Sequence, residues 1–297
     1  MNQLTNSTER VLRYLCAQEL MSESDGKYSL TDFTKALGGP DFPAMYTYLY
    51  EAQQPAFANW PKFAAKTGQK NPTDPGVSNS ADWYGGDYFS FLGQNPKAAE
   101  AFNKTMTVVA ASKVPWVDVY PTANLVADAR PGKTLLVDVA GGVGHDLEQF
   151  REKHPETAGQ LVLQDLTKVV DAANVVEPVQ KQGMDLLAGP NPVKGARAYY
   201  IKTVLHDWPD SKAVEILQNI AASMERGYSR ILVHETVLSK NNSNPRTVNS
   251  DATMMLCFSA SEREESTWRD IIDKAGLRVV KIWAPDAPDS ILELDLA

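Results

Sequence analysis

Residues 134–165 read TLLVDVAGGVGHDLEQFREKHPETAGQLVLQD, and this stretch decides the fold. Its first part, 134–139, is a short run of mainly aliphatic residues, which predicts a parallel strand buried on both faces. A glycine-rich turn at 140–144 follows, then a helical pattern at 145–153 and a second apolar run that ends in Asp165. Strand, glycine turn, helix, strand and terminal acid in this order predict a nucleotide-binding βαβ unit.

Two acids of this unit indicate which nucleotide it suits. Asp165 lies at a dinucleotide-like distance from the turn and can accept hydrogen bonds from ribose hydroxyls. Asp138 stands at the end of the first strand, where its carboxylate would repel a pyrophosphate. It would instead attract the cationic amino-acid end of S-adenosylmethionine. A tight strand-to-helix turn that binds no ligand remains the alternative at this point.

The composition excludes several classes of function. The chain has 297 residues, 43% of them hydrophobic, which is enough for one large α/β domain and a smaller one. With 29 basic and 37 acidic residues the formal charge is −8, which argues against a nucleic-acid partner.

Cysteine content and hydropathy bear on the compartment. Cys16 and Cys257 are the two cysteines, and with no Cys/His cluster we expect a reducing compartment and no metal site. The first ten residues are polar and no apolar run approaches the ~18 residues of a membrane span. We therefore expect a soluble, cytoplasmic protein without a membrane partner.

Strand and helix patterns alternate after the βαβ unit. We predict helices at 167–182, 211–224 (with Asp210 as N-cap), 248–259 and 265–275, a helical start at 261–264, and strands within 195–205 and at 228–233, 277–283 and 290–296. The last two strands are expected to form an antiparallel pair at the sheet edge. This order predicts an α/β fold, a doubly wound Rossmann-like sheet with helices on both faces. Ligands of such sheets bind at the carboxyl ends of the strands.

The residues before the βαβ unit predict a small, mainly helical region. A helix at 7–20, a short strand at 28–31 and a short helix ending in glycine resemble the end of a winged-helix module, or equally an ordinary helical cap. Aromatic residues are dense at 42–63 and 83–92, which indicates either a core or a lid over a flat substrate. We predict a partial winged-helix and lid region at 1–126 and a donor-binding catalytic domain at 127–297.

Polar residues gather at the predicted carboxyl ends of the strands. Besides Asp138 and Asp165, these ends carry Asp185, the run His206-Asp207-Trp208 and the pair His234-Glu235. A histidine at a strand end with acids nearby is equipped as a general base, because an acid fixes its tautomer and stabilises the imidazolium. His206 could equally be a structural histidine on this evidence alone.

Several motifs together resemble one family. LLVDVAGGVGHDLEQF, VLHDWPD, GYSRILVHETVL and SEREESTWRDIIDKAGLRVVKIW, with shorter matches from about residue 8 onward, resemble a fungal class of S-adenosylmethionine-dependent O-methyltransferases. This class is related to plant caffeate and flavonoid O-methyltransferases. The resemblance covers nearly the whole chain.

The resemblance implies a role for each of three groups of residues. The donor S-adenosylmethionine, which leaves as S-adenosylhomocysteine, would be held by Asp138, Gly141, Gly142, Gly144, Asp165, Met184, Asp185, Lys202 and Trp208. The catalytic residues would be His206 as general base with Glu235 and Glu262 as the acids that orient it. The acceptor would contact Trp83, Met106, Met254 and Met255, with Met106 clamping the reacting methyl. Lining up acceptor oxygen, methyl and sulfur would supply most of the catalysis.

Two departures from the family pattern carry consequences. The family turn V-D-V-G-G-G reads Val-Asp-Val-Ala-Gly-Gly here, and alanine at 140 costs little unless that position needs a positive φ. Family members also carry several helices before the LRYL segment, which interlock two subunits. We therefore expect a homodimer that is weakened or altered.

Three functions remain for comparison. The first is O-methylation of a hydroxyl of an aromatic or polyketide-type secondary metabolite. The second is a methyltransferase-like pericyclase or dehydratase that uses the charge of bound S-adenosylmethionine and transfers no methyl. The third is a non-catalytic partner subunit. The retained His206, Glu235 and Glu262 favour the first.

Overall fold

In the computed structural model, the chain divides into a smaller and a larger unit. The smaller unit comprises Met1–Pro55 and Leu92–Ser112, and the larger unit comprises Ala56–Phe91 and Lys113–Ala297. The structure describes residues 6–40, 42–111, 113–238, 244–284 and 287–297. The functional division into a lid region at 1–126 and a donor-binding catalytic domain at 127–297 stays a prediction.

Helices dominate the first part of the chain, as expected. Its elements are α1 (Asn6–Ala17), β1 (Met21–Ser24), β2 (Lys27–Leu30), α2 (Asp32–Leu37), α3 (Phe42–Tyr48), a π-helical turn (Leu49–Gln53), α4 (Gln54–Thr67), a 3₁₀ turn (Pro75–Val77), α5 (Asn79–Tyr84), α6 (Tyr88–Gln94) and α7 (Pro96–Ala111). In the smaller unit β1 and β2 form an antiparallel hairpin. There α3 packs on α7, and the rings of Tyr48 and Phe102 meet edge to face at 5.4 Å between centroids.

The rest of the chain alternates strands and helices. Its elements are α8 (Trp116–Val119), α9 (Ala123–Ala127), β3 (Leu136–Val139), α10 (His145–Lys153), a 3₁₀ turn (Pro155–Gln160), β4 (Leu161–Asp165), α11 (Thr167–Ala172), β5 (Gln180–Gly183), β6 (Ala198–Lys202), a 3₁₀ turn (Leu205–Asp207), α12 (Asp210–Ala221), β7 (Arg230–Leu238), α13 (Pro245–Thr253), a π-helical turn (Met254–Phe258), β8 (Arg263–Glu264), α14 (Glu265–Lys274), β9 (Leu277–Trp283) and β10 (Asp289–Leu296).

One sheet organises the larger unit. Its strand order is β5-β4-β3-β6-β7-β10-β9, with β8 paired to the end of β7. The neighbours from β5 to β7 are parallel, and β10 is antiparallel to both β7 and β9. The predicted antiparallel edge pair is therefore confirmed, and so is the mostly parallel, doubly wound sheet.

Apolar side chains cover both faces of this sheet. Along β3, Val137 and Val139 join the core cluster that includes residues of α12 and α14, whereas Leu136 joins the cluster that includes residues of α8 and α10. Side chains of a strand alternate between faces, so a strand covered on both sides is mainly apolar, here with Asp138 near its carboxyl end as the exception. This is why the strand of the quoted stretch shows no polar alternation.

The helix predicted at 167–182 is much shorter in the structure. It ends at Ala172, and β5 forms beside β4, with Val162 opposite Gln180. Pro178 lacks the backbone N–H that a helix interior needs, so the prediction of one long helix was wrong.

Asp210 is not the N-cap of α12. It is the first residue of that helix, and Pro209 holds the cap position. The carboxylate of Asp210 instead accepts a hydrogen bond from Nε of Arg263 at 2.8 Å. The local pattern predicted that the carboxylate of Asp210 caps the helix, but in the structure this carboxylate binds the distant Arg263.

Other boundaries also differ. The strand predicted at 228–233 continues to Leu238 because β10 pairs along it, so His234 and Glu235 lie within the strand. The helix predicted at 248–259 is divided into α13 and a π-helical turn, and part of the predicted helical start at 261–264 is β8, where Arg263 lies opposite Val237.

The helices in the described ranges are too short or too polar to cross a lipid bilayer.

Candidate active site

A strained turn presents His206 after the fourth parallel strand of the chain, β6. Thr203, just past β6, has a φ of +48°, a left-handed conformation that β-branched residues rarely adopt. Its N–H donates to the carbonyl of His234 at 3.1 Å, which ties the turn to β7. Strained backbone of this kind persists where the surroundings over-determine it, commonly at functional sites.

Glu235 holds the same turn from β7. Its Oε1 accepts the N–H groups of Val204 at 2.9 Å and Leu205 at 2.8 Å. The side chain is fully buried, and its Oε2 has no hydrogen-bond partner in the described part of the chain. That free oxygen lies 3.9 Å from Nδ1 of His206. Glu235 therefore combines a structural contact with a negative charge beside the imidazole.

Glu262 makes the direct contact with the histidine. Its Oε1 lies 3.0 Å from Nδ1 of His206, and both side chains are largely enclosed, with exposed fractions of 12% for His206 and 1% for Glu262. Asp207 approaches the other ring nitrogen, with its Oδ1 3.6 Å from Nε2. A proton on Nδ1 donated to Glu262 leaves Nε2 as the nitrogen that can accept a proton.

The three carboxylates set the charge of this cluster. Burial lowers the pKa of His206, but the charges of Glu235, Asp207 and Glu262 outweigh it and raise the pKa to about 10. Burial raises the pKa of Asp207 to about 7 and also raises that of Glu235. Burial acts on Glu262 in the same direction, but hydrogen bonds from His206 and Ser250 prevail and lower its pKa. The carboxylates therefore favour the imidazolium form of His206, paired with Glu262.

His206, Glu235 and Glu262 also present donor atoms within 4.8 Å of one another, as a metal site would. However, hydrogen bonds already engage Nδ1 of the histidine and one oxygen of each glutamate. We assign the cluster to acid–base chemistry, and the expectation that no metal is bound stays a prediction.

The glycine turn after β3 needs its unusual residues. Ala140 has a φ of +55°, so the alanine that replaces a family glycine lies in the left-handed region. It therefore carries the backbone strain that a non-glycine residue has at positive φ. Gly142 and Gly144 have φ values of +61° and +90°. A Cβ on Gly141 would lie 2.7 Å from Oδ1 of Asp138 and closer still to its other carboxyl atoms. The turn therefore brings its backbone against Asp138.

Asp165 joins the turn to the end of β4. Its Oδ2 accepts the N–H of Gly142 at 2.8 Å and its Oδ1 accepts that of Leu166 at 2.7 Å. Each oxygen keeps a lone pair for a further donor. The side chain is partly exposed, so a hydroxyl can reach it.

Asp138 is the residue of this site whose unsatisfied carboxylate indicates that a ligand binds there. It is 2% exposed, and its Oδ2 has no hydrogen-bond partner among the described residues. Burial, with the nearby charge of Asp146, raises its pKa well above the usual range. A buried, unsatisfied carboxylate is costly unless a cation or donor meets it. The turn and its two acids thus fit the amino-acid and ribose parts of S-adenosylmethionine.

The other residues predicted to bind S-adenosylmethionine lie at the carboxyl ends of β5 and β6. The N–H of Met184 donates to the carbonyl of Asp165 at 2.8 Å, and Oδ1 of Asp185 accepts the N–H of Leu187 at 2.9 Å. The ammonium of Lys202 donates to Oδ1 of Asp146 at 2.7 Å. Sheet topology thus brings these residues to the edge that carries Asp138, while their contacts with adenine stay predictions.

Arg263 is a site residue that sequence reasoning missed. Its guanidinium donates to the carbonyls of Leu205 at 2.8 Å and Trp208 at 2.5 Å, and it is 2% exposed. It therefore clamps both ends of the turn that carries His206. Its place directly after Glu262 in a family motif was the available signal, but its partners lie more than 50 residues away.

The predicted acceptor residues fall in both units. Met254 is buried and Met255 half-buried in the π-helical turn, Trp83 is 49% exposed on α5, and Met106, on α7 of the smaller unit, is 38% exposed. The helix of Trp83 is bonded to the methionine turn, since Asn79 and Ser80 donate to the carbonyls of Leu256 at 2.9 Å and Cys257 at 2.6 Å. Trp83, Met254 and Met255 thus belong to one connected part of the larger unit.

Fold and site together define a doubly wound α/β protein with a glycine turn between two acids and an enclosed cluster of His206 with carboxylates. Comparison with known proteins identifies its family. The O-methyltransferase domain family matches residues 76–278. O-methyltransferase mfmE of Annulohypoxylon moriforme is 37% identical over 291 residues, which are 97% of this chain and 72% of that protein.

Solved structures agree. OxaC in complex with S-adenosylhomocysteine and oxaline has a TM-score of 0.86 at 25% identity, covering 97% of this chain and 74% of that chain. A pericyclic reaction enzyme has a TM-score of 0.85 at 26% identity, covering 98% and 76%. The chain belongs to the O-methyltransferase family, and its enzymatic activity is O-methyl transfer.

Proposed function

We propose that this O-methyltransferase methylates a hydroxyl of a flat aromatic or polyketide-type secondary metabolite, with His206 as the general base. The observation that carries this proposal is the 3.0 Å contact between Nδ1 of His206 and Oε1 of Glu262, with Glu235 behind it. With a proton on Nδ1 donated to Glu262, Nε2 is the nitrogen that can accept a proton. The cofactor is S-adenosylmethionine, which when bound supplies an electrophilic methyl group on a positively charged sulfur.

The charge of the cluster must change before His206 can remove a proton. A general base works best when its pKa lies near the operating pH, whereas the carboxylates raise the pKa of His206 to about 10. The imidazolium form that they favour must lose its proton before Nε2 can act. A cationic donor nearby would lower the pKa of His206 by charge repulsion and free Nε2.

We assign the donor-binding residues from the same geometry. Asp138 would meet the cationic amino group of S-adenosylmethionine. The turn of Gly141, Gly142 and Gly144 would let this ligand lie close to the backbone. Asp165 would accept from the ribose. The remaining assignments around the adenine are Met184, Asp185, Lys202 and Trp208.

The acceptor residues support a flat substrate. Trp83, Met254 and Met255 offer an aromatic ring and polarizable thioethers, which pack well on aromatic faces. Met106 is assigned to the acceptor from the family resemblance alone. An aromatic hydroxyl compound fits such a lining better than a polar one.

The second candidate is a pericyclase or dehydratase that uses the charge of its donor without transfer. The fold similarity to a pericyclic reaction enzyme favours it. Against a pericyclase stands the complete base cluster, since a purely pericyclic step removes no proton and has no need of His206, Glu235 and Glu262 together. The third candidate, a non-catalytic partner, has no observation in its favour.

A homodimer and a cytoplasmic location complete the proposal. Tyr14, Phe33 and Tyr50 of the smaller unit are 64%, 63% and 73% exposed, and a second copy would cover such aromatic side chains. The free thiols of Cys16 and Cys257 suit a reducing compartment.

The deciding experiment is transfer of label from methyl-labelled S-adenosylmethionine to a panel of phenols and a metabolite extract. We expect labelled product from the native chain and a loss of at least ~10²-fold for His206→Ala with donor affinity unchanged. Transfer by His206→Ala at the native rate would remove the histidine from this role. Tight donor binding without any labelled product would favour the pericyclase.

A further inference from the structure

A second hydrogen bond reaches the oxygen of Glu262 that faces the histidine. The hydroxyl of Ser250, on α13, donates to Oε1 of Glu262 at 2.6 Å, and the same oxygen lies 3.0 Å from Nδ1 of His206. The side chain of Glu262 is 1% exposed, so water has little room to replace that hydroxyl. The neighbouring Asp251 accepts the backbone N–H of Glu262 at 2.9 Å. Two successive residues of α13 thus hold Glu262 by its side chain and by its backbone.

We propose that Ser250 is a positioning residue for the general base: its hydroxyl fixes Oε1 of Glu262 and keeps this carboxylate ionised beside His206. The proposal rests on the proposed function of His206 as base. It adds a residue of α13 to a catalytic cluster otherwise built from the turn after β6, from β7 and from the segment before α14.

The charges around Glu262 explain why it needs such a hydroxyl. The titratable groups that face it in the described part of the chain are His206, Asp207, Glu235, Asp251 and Asp289. Four of these five are acids, and a buried carboxylate among acids tends to take up a proton. Donation by Ser250 opposes this tendency, because a hydrogen bond to the charged form favours that form.

Removal of the hydroxyl therefore has a defined consequence. Oε2 of Glu262 already has no hydrogen-bond partner among the described residues, so without Ser250 the carboxylate would depend on His206 alone. Its pKa should rise by about one unit, the size expected for loss of one hydrogen bond to a charged group. A protonated Glu262 cannot support the imidazolium that forms during proton removal, so that step should slow.

The chain offers matched variants for the test. Ser250→Ala removes the hydroxyl and Ser250→Thr keeps one. Thr253→Ala is the control on the same helix, because the hydroxyl of Thr253 donates to the carbonyl of Asn249 at 3.0 Å and not to Glu262.

One readout needs no acceptor. In protein with ¹³C-labelled histidine, the Cε1 resonance of His206 senses the ionisation of Glu262, and His206→Ala identifies it among the four histidines. We expect the acid-range step of this resonance to move up by about one pH unit in Ser250→Ala, to return in Ser250→Thr and to stay unchanged in Thr253→Ala. A step at the native pH in Ser250→Ala would overturn the proposal.

The second readout is kinetic and separates the two proposals. For a phenol that the labelling panel identifies, Ser250→Ala should lower kcat several-fold and leave KM for S-adenosylmethionine unchanged, and Ser250→Thr should restore kcat. A native kcat in Ser250→Ala, beside loss of transfer in His206→Ala, would refute the positioning role and leave the base intact. Native transfer by His206→Ala would instead refute the proposed function itself.

Discussion

Gly141 and Asp138 are in such close approach that a single methyl group cannot fit between them. A Cβ at position 141 would lie 2.7 Å from Oδ1 of Asp138 and closer to its carboxyl carbon. The N–H of Gly141 also donates to the carbonyl of Gln164 at 3.0 Å, which anchors the turn on β4. The proposed donor site is therefore built on a contact between backbone and a buried carboxylate.

Gly141→Ala should consequently weaken donor binding by at least tenfold, because the added methyl must displace Asp138 or the turn. Isothermal titration with S-adenosylhomocysteine measures this affinity. Gly93→Ala, where a Cβ meets nothing within 4 Å, is the matched control and should bind as the native chain does. Equal affinity in Gly141→Ala would show that the donor does not use this turn.

Ala140→Gly should stabilise the protein. A left-handed alanine costs roughly 1–2 kcal/mol, and glycine recovers this against a smaller loss of chain entropy, for a net gain of up to ~1 kcal/mol. Urea unfolding measures the change. Ala99→Gly, inside α7, should lose about that amount. A loss of stability in Ala140→Gly would mean that the methyl group makes contacts that outweigh its strain.

The two substitutions of Glu235 should separate its contact from its charge. Glu235→Ala leaves the N–H groups of Val204 and Leu205 without their acceptor and should cost about 2–4 kcal/mol of unfolding free energy. Glu235→Gln keeps an acceptor oxygen and should cost less, yet it should lower the pKa of His206 because one negative charge is gone. Urea unfolding and histidine NMR give the two quantities. Equal unfolding free energies for both variants would refute the structural half of this assignment.

Stability should fall as the pH rises from neutral toward 10. The pKa of His206 is raised in the folded chain from about 6.5 to about 10, so the native state binds more protons than the unfolded state in this window. The contribution is complete below pH ~6.5 and is lost as the pH rises through the folded value, with a slope of up to about 1.4 kcal/mol per pH unit. Urea unfolding between pH 7 and 9.5 measures it.

The matched variant for that prediction is His206→Gln, which cannot titrate. Its unfolding free energy should decline less steeply than that of the native chain over the same range. Parallel curves for the two proteins would show that the carboxylates around His206 do not raise its pKa.

Local pattern alone was sufficient for much of the molecule. The apolar run of β3, the glycine turn and Asp165 predicted the βαβ unit, since these features depend on residues close together in the chain. Motif resemblance then singled out His206, Glu235 and Glu262, and the structure brings these three side chains together across 56 residues of sequence. The exact helix ends were less predictable, because they depend on contacts with other parts of the chain. Asp210 binds Arg263, and the segment after Ala172 forms β5 beside β4.

By itself, then, the sequence determined the fold class, the family and the identity of the candidate base. Periodicity and motif spacing depend only on residues that are close together in the chain. Only the tertiary structure added Ser250 and Arg263 to the groups around that base and showed how its charged neighbours are arranged. Ser250 and Arg263 reach Glu262 and the His206 turn through contacts that no local pattern encodes. The pKa of His206 depends on how far three buried carboxylates lie from one ring, and such distances exist only once the chain has folded.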